Sequence, residues 1–388
     1  MLAWLIRLHL FIMAIPEKTI WPAWPPLHGI PHRTSSSTQI TASSREQPVG
    51  TSISTVPGRM EPVTPQPRPT GADSPLFGAS LTQLSRLDLD NICVSLPRPI
   101  LPGSIYLLTR RCTQRQFLLK PTALTSQIFE YCLAVAAERT GVLVHAACVL
   151  SNHWHAVISD PHGQLPVFTA FLHKFVSKAV NASLGRRENL WASEQPSQLR
   201  LVGPEDVIAR MIYTLANPVA AKLVARAGQW PGVWGYLPKH SKAVARPRIF
   251  FRNDGPMPAV ATLSYVPPQL PGFSVDAVYG AVAAGVAACE VEVASALRRE
   301  RRRVLGVKAV LTQDVYDSPK SAEERCGLSP RIAAKNKWAR IEALGRLKAF
   351  VDHYRAAFRA WAAGARDTVF PAGTYALRIH ACVSCAST

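Results

Sequence analysis

The sequence predicts an α+β fold: a ferredoxin-like (RRM-like) antiparallel sheet with helices on one face, followed by a helical C-terminal region. Two observations predict it. Between residues 104 and 202, short stretches of β-forming residues alternate with two long amphipathic stretches in the order β-α-β-β-α-β, which is the order of the split βαβ arrangement. Beyond residue 273, apolar side chains recur at helical spacing, first in an alanine- and valine-rich stretch and then in an amphipathic one.

Each element has its own local indication. The first strand is rich in β-forming residues and ends at a pair of arginines. The first helix stops at Gly141, and the turn residues Ser151 and Asn152 join the second and third strands into a hairpin. In chain order, the predicted elements are strand 104–112, helix 122–140, strands 142–150 and 153–159, helix 164–184 and strand 197–202.

The composition divides the chain into four parts. Residues 1–98 are rich in proline, serine and threonine and predict a disordered extension, because such a composition cannot bury enough apolar surface to offset the entropy of ordering. Residues 99–240 hold the predicted sheet. Residues 241–272, which prolines interrupt, predict a linker to the helical region of 273–388. A further hypothesis for the extension is that translation starts at Met60.

Charge and cysteine content restrict the partners and the compartment. The 44 lysine and arginine residues against 25 acidic ones give a net charge of +19, which favours a polyanionic partner such as nucleic acid. Eight cysteines without a regular spacing predict reduced thiols and a cytoplasmic location, since a chain of 388 residues needs no disulfides to fold. The apolar run at residues 2–15 is too short to span a bilayer, and we expect no membrane segment.

Two histidines in the third predicted strand form a candidate half-site for a metal ion. His153 and His155 flank Trp154, and alternate residues of a strand point to the same face. The two imidazoles would therefore lie side by side, with Trp154 in the opposite face. The alternative is an ordinary strand in which the histidines have no function.

About sixty residues further on, a helix that begins near Gly203 carries two polar side chains of interest. Tyr213 and Asn217 are four residues apart and share one helical face. Asn217 offers an amide oxygen, a ligand suited to Mg²⁺ or Mn²⁺, and Tyr213 offers a phenol that can attack phosphorus. Pro218 leaves a second interpretation open, since it disfavours helical geometry at the residue before it. Asn217 would then cap a new helix, and its side chain would serve the backbone.

Together these motifs carry a resemblance to a known family. The triplet in VLSNHWHAVI resembles the HUH motif of single-strand DNA transposases and relaxases, and YTLANPV resembles the Tyr-x-x-x-Asn-Pro-Val signature of REP-associated tyrosine transposases. Residues 99–240 are thus similar to an HUH transposase-like catalytic domain. The resemblance implies that His153, His155 and Asn217 bind a divalent metal, Mg²⁺ or Mn²⁺, and that Tyr213 is the nucleophile.

The same resemblance implies a reaction and a partner. The reaction is cleavage of one DNA strand through a 5′-phosphotyrosine, followed by strand transfer. The partner is single-stranded or hairpin DNA, bound by a monomer or a homodimer. Five basic side chains could line a DNA groove through phosphate contacts, although a single basic residue is more often a solvated surface charge. They are Arg110, Arg111 and Arg115 around the end of the first strand, and Lys174 and Lys178 on the second helix.

A non-catalytic function remains as an alternative. An RRM-like sheet can bind nucleic acid on its open face without any chemistry, and it then presents stacking aromatic side chains on its central strands. The predicted strands contain no such pair beyond Trp154.

Overall fold

A computed structural model describes residues 97–321 and 330–387, so the predicted extension lies almost wholly outside the described residues. The strands are β1 (Ser104–Arg111), β2 (Leu143–Val149), β3 (His153–Asp160), β4 (Ser197–Leu201), β5 (Trp234–Gly235), β6 (Lys242–Ala245), β7 (Val260–Leu263) and β8 (Ile332–Ala333). The helices of more than one turn are α1 (Ala123–Thr140), α2 (Leu165–Ser183), α3 (Pro204–Ala220), α4 (Val275–Arg299), α5 (Val307–Thr312), α6 (Lys337–Ala362) and α7 (Ala376–His380).

The central sheet has the predicted arrangement. Strands β2, β3, β1 and β4 are neighbours in that order, and each pair is antiparallel. Helix α1 connects β1 to β2, and α2 connects β3 to β4, as the β-α-β-β-α-β order requires. Strand β5 extends the sheet beyond β2, and β8 pairs with β4 in parallel, so the complete sheet has six strands and is mixed. The predicted α+β fold is confirmed.

Helices α1 and α2 cover one face of the sheet. Helix α1 begins where the side chain of Thr122 accepts a hydrogen bond from the amide of Thr125, and it ends at Gly141 in the left-handed conformation. Trp154 is buried in the core beneath these helices, and its ring meets that of Phe129 edge-on at 5.6 Å between centroids. The motif tryptophan therefore occupies the face predicted for it.

The second face is not free, in contrast to the expectation from the sequence. Helix α3 packs on β2 and β3, and α4 packs on α3. The strands supply apolar side chains to both faces, and a face of this composition is stable only when it is covered. The strand residues of this second core are Leu107, Ala146, Cys148, Val157, Leu199 and Leu201.

The segment expected to be a linker, 241–272, has structure of its own. Strands β6 and β7 form a two-stranded antiparallel sheet that packs on α1. Ala261, Leu263 and Tyr265 are buried in the same core as Trp154. Prolines interrupt the connection between these strands rather than the strands themselves, which is why composition alone predicted a linker.

The C-terminal region is helical, as predicted, and has a small core of its own around Phe370. Helix α4 is long and apolar enough to cross a membrane by length and composition alone, and 22% of its most apolar stretch is buried within the protein. Core helices of water-soluble proteins have the same composition, so the expectation of no membrane partner stays a prediction.

Candidate active site

Strand β3 places the two motif histidines side by side. His153 and His155 lie on the face opposite Trp154, and their ring centroids are 4.8 Å apart. Register with β1 sets Thr109 opposite His155 and Arg111 opposite His153. His155 is 3% exposed, whereas His153 is half-buried at the rim.

Helix α3 brings Tyr213 and Asn217 to the same place. The helix is continuous from Pro204 to Ala220 with Pro218 inside it, so the alternative in which Asn217 caps a new helix is wrong. Pro218 lies in the last turn, where few helical hydrogen bonds remain to be lost, and the helix continues through it to Ala220. The ring centroids of His155 and Tyr213 are 5.1 Å apart, and Asn217 hydrogen-bonds to the side chains of both His153 and Tyr213.

Each histidine is held at Nδ1 by a residue outside the motif. Thr109 Oγ1 lies 2.7 Å from His155 Nδ1, and Asn152 Oδ1 lies 2.7 Å from His153 Nδ1. The amide of Asn152 is oriented because its Nδ2 donates to the carbonyl of Arg115 at 3.2 Å. His153 Nδ1 must then carry the hydrogen, which leaves a lone pair on its Nε2. Hydrogen bonds of this kind orient metal-binding histidines in proteins.

The surroundings keep both imidazoles neutral. Burial, followed by the positive charge of Arg111, lowers the pKa of His153 to about 4. Burial, followed by His153, lowers the pKa of His155 well below its ordinary value. The neutral imidazole is the form that binds a metal.

The donor atoms fit a divalent cation. His155 Nε2 is buried and has no hydrogen-bond partner among the described residues, which is the condition expected of a ligand atom awaiting a metal. His153 and Asn217 add a second imidazole and an amide oxygen. No group of three or more His, Cys, Asp or Glu side chains in the described ranges could hold a metal, so the site depends on Asn217 as its third ligand.

Tyr213 is positioned as a protonated phenol. Burial raises its pKa above the ordinary value, while the charge of Arg210 and the hydrogen bond from Asn217 act in the opposite direction. Its side chain is nevertheless 38% exposed, so a substrate can reach it from solvent. The guanidinium of Arg210 lies 6.0 Å from the centre of the Tyr213 ring.

The five predicted DNA-binding residues do not form one groove. Arg111 lies on the histidine face and makes a 2.7 Å ion pair with Glu194; Arg115 is close enough to His153 to act on its pKa. Arg110 points to the opposite face, where it donates to His173 at 3.1 Å. Because successive residues of a strand point to opposite faces of the sheet, Arg110 and Arg111 lie on opposite sides of it.

Lys174 and Lys178 are exposed on α2, the helix on the far side of the sheet from the histidines. A strand bound at the histidines would therefore have to pass around the sheet to meet them. Their part in DNA binding stays a prediction.

Three residues of the site were not predicted from the sequence: Thr109, Asn152 and Arg210. The first is fixed by strand pairing across 46 positions, which no local pattern reveals. Asn152 was assigned only to the turn of the hairpin. Arg210 could have been found, since it lies three residues before Tyr213 on the same helical face.

Comparison with known proteins adds little. No family model matches the chain, and no curated protein matches it. Among solved structures, a REP-associated tyrosine transposase bound to a REP hairpin aligns with a TM-score of 0.31 and 17% identity, over 36% of this chain and 81% of that one. A protein of Deinococcus radiodurans R1 that carries the name transposase aligns with a TM-score of 0.22 and 17% identity, over 27% of this chain and 85% of that one.

Proposed function

We propose that this protein cleaves and rejoins single-stranded DNA, with Tyr213 as the nucleophile. The proposal depends on one observation above all. Two neutral imidazoles, an amide oxygen and a solvent-accessible phenol, which come from elements about sixty residues apart in sequence, meet within one cluster. Single-stranded DNA, including strands that form hairpins, is the substrate that the motif resemblance implies. The net charge of +19 favours the binding of this negatively charged substrate.

The chemistry follows from the atoms present. Tyr213 Oη attacks the scissile phosphorus and forms a new O–P bond, while the bond from phosphorus to the 3′ oxygen breaks. The phenol gives up its proton, and the departing 3′ oxygen takes one up, so a 5′-phosphotyrosine and a free 3′-hydroxyl result. Attack on the phosphotyrosine by a 3′-hydroxyl reverses these changes and joins two strands. The phosphate-ester bond is conserved throughout, so no nucleotide cofactor is consumed.

His153, His155 and Asn217 would hold the metal. The chemistry that a divalent metal would supply there is polarisation of the phosphate and compensation of the charge that builds up during attack. The chain's own residues orient the reaction: Thr109 and Asn152 fix the imidazoles, and Asn217 hydrogen-bonds to the phenol of Tyr213. We expect the metal to bind weakly without DNA, because the three ligands carry no negative charge.

The alternative, a non-catalytic module that binds nucleic acid on the sheet, requires an open sheet face. The face that such a module would use is covered by α3 and α4. The aromatic side chain of the central motif, Trp154, is buried in the opposite core.

A covalent-adduct experiment tests the proposal. The full chain is incubated with Mn²⁺ and a labelled single-stranded oligonucleotide that contains a repeat hairpin, and the products are separated under denaturing conditions. We expect a labelled protein band that disappears in Tyr213→Phe and persists in Tyr354→Phe, a matched change in the C-terminal core. An undiminished band in Tyr213→Phe contradicts the assignment of the nucleophile.

A further inference from the structure

A second basic site lies at the other end of β1, away from the histidines. A cleft of about 860 Å³ opens between the start of β1, the end of β4 and helix α6. Its volume is within the range of ligand-binding sites. Thr109 and Arg111 face the histidines, whereas the cleft is lined by Ser104 and Tyr106 at the beginning of the same strand. The two sites are therefore about 10 Å or more apart along β1.

The charged side chains that line this cleft are all cationic. They are Arg98, Arg200, Arg331 and Arg346, and none of the described lining residues is an aspartate or a glutamate. Most of the remaining lining is apolar, with Leu270, Leu347 and Phe350 among it. A cavity with guanidinium groups and an apolar wall selects an anion that also carries apolar surface.

The arginines are held in place by neutral groups. Arg98 donates to the carbonyl of Pro196 at 3.1 Å and to the amide oxygen of Gln198 at 3.4 Å, and Arg331 donates to the carbonyl of Pro97 at 3.0 Å. Arg200 forms no ion pair with any residue that the structure describes. Arg346 is the exception, because it pairs with Glu342 on the same exposed helix.

Two carboxylates near the ends of β3 and β4 are bound by backbone amides and form no ion pair with these arginines: Asp160 accepts from the amides of Gln164 and Leu165, and Asp206 from those of Gly203 and Lys335. Burial, followed by the positive charge of the neighbouring Arg331, lowers the pKa of Arg98.

We propose that this cleft binds a short segment of single-stranded nucleic acid, with the phosphates on Arg98, Arg200 and Arg331 and the bases against the apolar wall. Proteins that bind single strands without sequence preference combine a basic groove with apolar or aromatic contacts to the bases. A concave site of this volume admits an extended strand of a few nucleotides but not a duplex. The side-chain amides of Gln198 and Gln269 add hydrogen-bonding groups for base edges. This site goes beyond the proposed function, because it requires neither Tyr213 nor a metal.

Binding of a short oligonucleotide tests the proposal without involving the chemistry. Fluorescence anisotropy with a labelled hexathymidylate is measured without metal on the full chain. Arg200→Gln is the informative variant, because this side chain makes no hydrogen bond to a described residue that its replacement would break. We expect the affinity to fall at least tenfold and the slope of log K against log salt to decrease by about 0.7. Arg340→Gln, an equal loss of charge on α6 outside the cleft, should stay within twofold of the unchanged protein.

Two results overturn the proposal. One is an Arg200→Gln affinity equal to that of Arg340→Gln, with both variants folded by circular dichroism. The other is competition by thymidine monophosphate at the same concentration as the hexanucleotide, which would make a free nucleotide the ligand. Binding is measured without metal and the adduct experiment measures covalent attachment in Mn²⁺, so a failure of the nuclease proposal is separable from a failure of this one.

Discussion

The two histidines of the site are neutral and oriented, and one of their ring nitrogens is buried without a hydrogen-bond partner among the described residues. Thr109 and Asn152 occupy the two Nδ1 atoms, and Asn217 hydrogen-bonds to His153, so the Nε2 of His155 remains for another ligand. In the described part of the chain, only the Nε2 of His155 is both buried and unpartnered within this cluster. Removal of the hydrogen bond at either Nδ1 atom should therefore lower the affinity for the metal without changing the fold.

Thr109→Val tests that consequence. Valine has nearly the shape of threonine but cannot hydrogen-bond to His155, so the imidazole loses its fixed orientation. We expect Mn²⁺ affinity to fall by about 10- to 100-fold, the usual effect of losing such a partner, as measured by calorimetry in the presence of uncleavable DNA. Thr109→Ser keeps the hydroxyl and should restore the affinity; if the serine variant is as weak as the valine variant, the hydrogen bond is not the cause.

The pH profile tests how Tyr213 is activated. Its pKa is raised, so the phenol is protonated at neutral pH, and the rate of adduct formation should increase with pH from about 6.5 to 9. Arg210 favours the phenolate, and its loss in Arg210→Gln should raise the pKa of Tyr213 further and slow the reaction several-fold at neutral pH. The ratio of the two rates should stay constant over this range, because the pH remains below the pKa of Tyr213 in both proteins. Superimposable profiles for Arg210→Gln and the unchanged protein would exclude this role.

At the scale of the elements, helix α3 determines the site. It carries Tyr213 and Asn217, continues through Pro218, and is held against the sheet by α4. The two helices are in contact at Gly285, where a methyl group would overlap with the side chain of Ile212, the residue next to Tyr213.

Gly285→Ala should therefore disturb this packing. Overpacking of a buried contact destabilises a protein by about 1–3 kcal/mol, and here the strain acts directly beside the nucleophile, so adduct formation should slow as well. Gly280→Ala is the matched control on the same helix, because nothing lies within 4 Å of a methyl group there. That change should stabilise the protein by about 0.5–1 kcal/mol in chemical denaturation. Equal stabilities for the two variants contradict the packing described.

The whole molecule contains several histidines that are buried in the neutral form. Burial lowers the pKa of His145 to about 4 and that of His173 to about 3, in addition to the two histidines of the site. In the unfolded chain these groups titrate near pH 6.5. Between about pH 6.5 and 4 the unfolded state therefore binds protons that the folded state does not, and stability must fall as the pH falls.

We expect the free energy of unfolding, measured by urea denaturation of the metal-free protein, to decrease by several kcal/mol between about pH 7 and pH 5. His145→Gln supplies a control, because glutamine retains hydrogen-bonding capacity toward Val266 and Ser159 but does not titrate. Its stability should depend less steeply on pH. The same midpoint at both pH values would show that these histidines do not stay neutral in the folded state.

The sequence by itself determined the order of the elements and the residues with chemistry. Local periodicity encodes strands and helices, and the spacing of His153, His155, Tyr213 and Asn217 encodes which side chains share a face. Their roles stay predictions until the adduct is measured.

Only the tertiary structure decided what covers the second sheet face, that Asn217 faces the histidines despite Pro218, and that Arg110 points away from Arg111. It also decided that Thr109 supports His155 and that four arginines meet in one cleft. These contacts join residues that are far apart in the chain. Strand register and helix packing fix them, and no local pattern specifies either one.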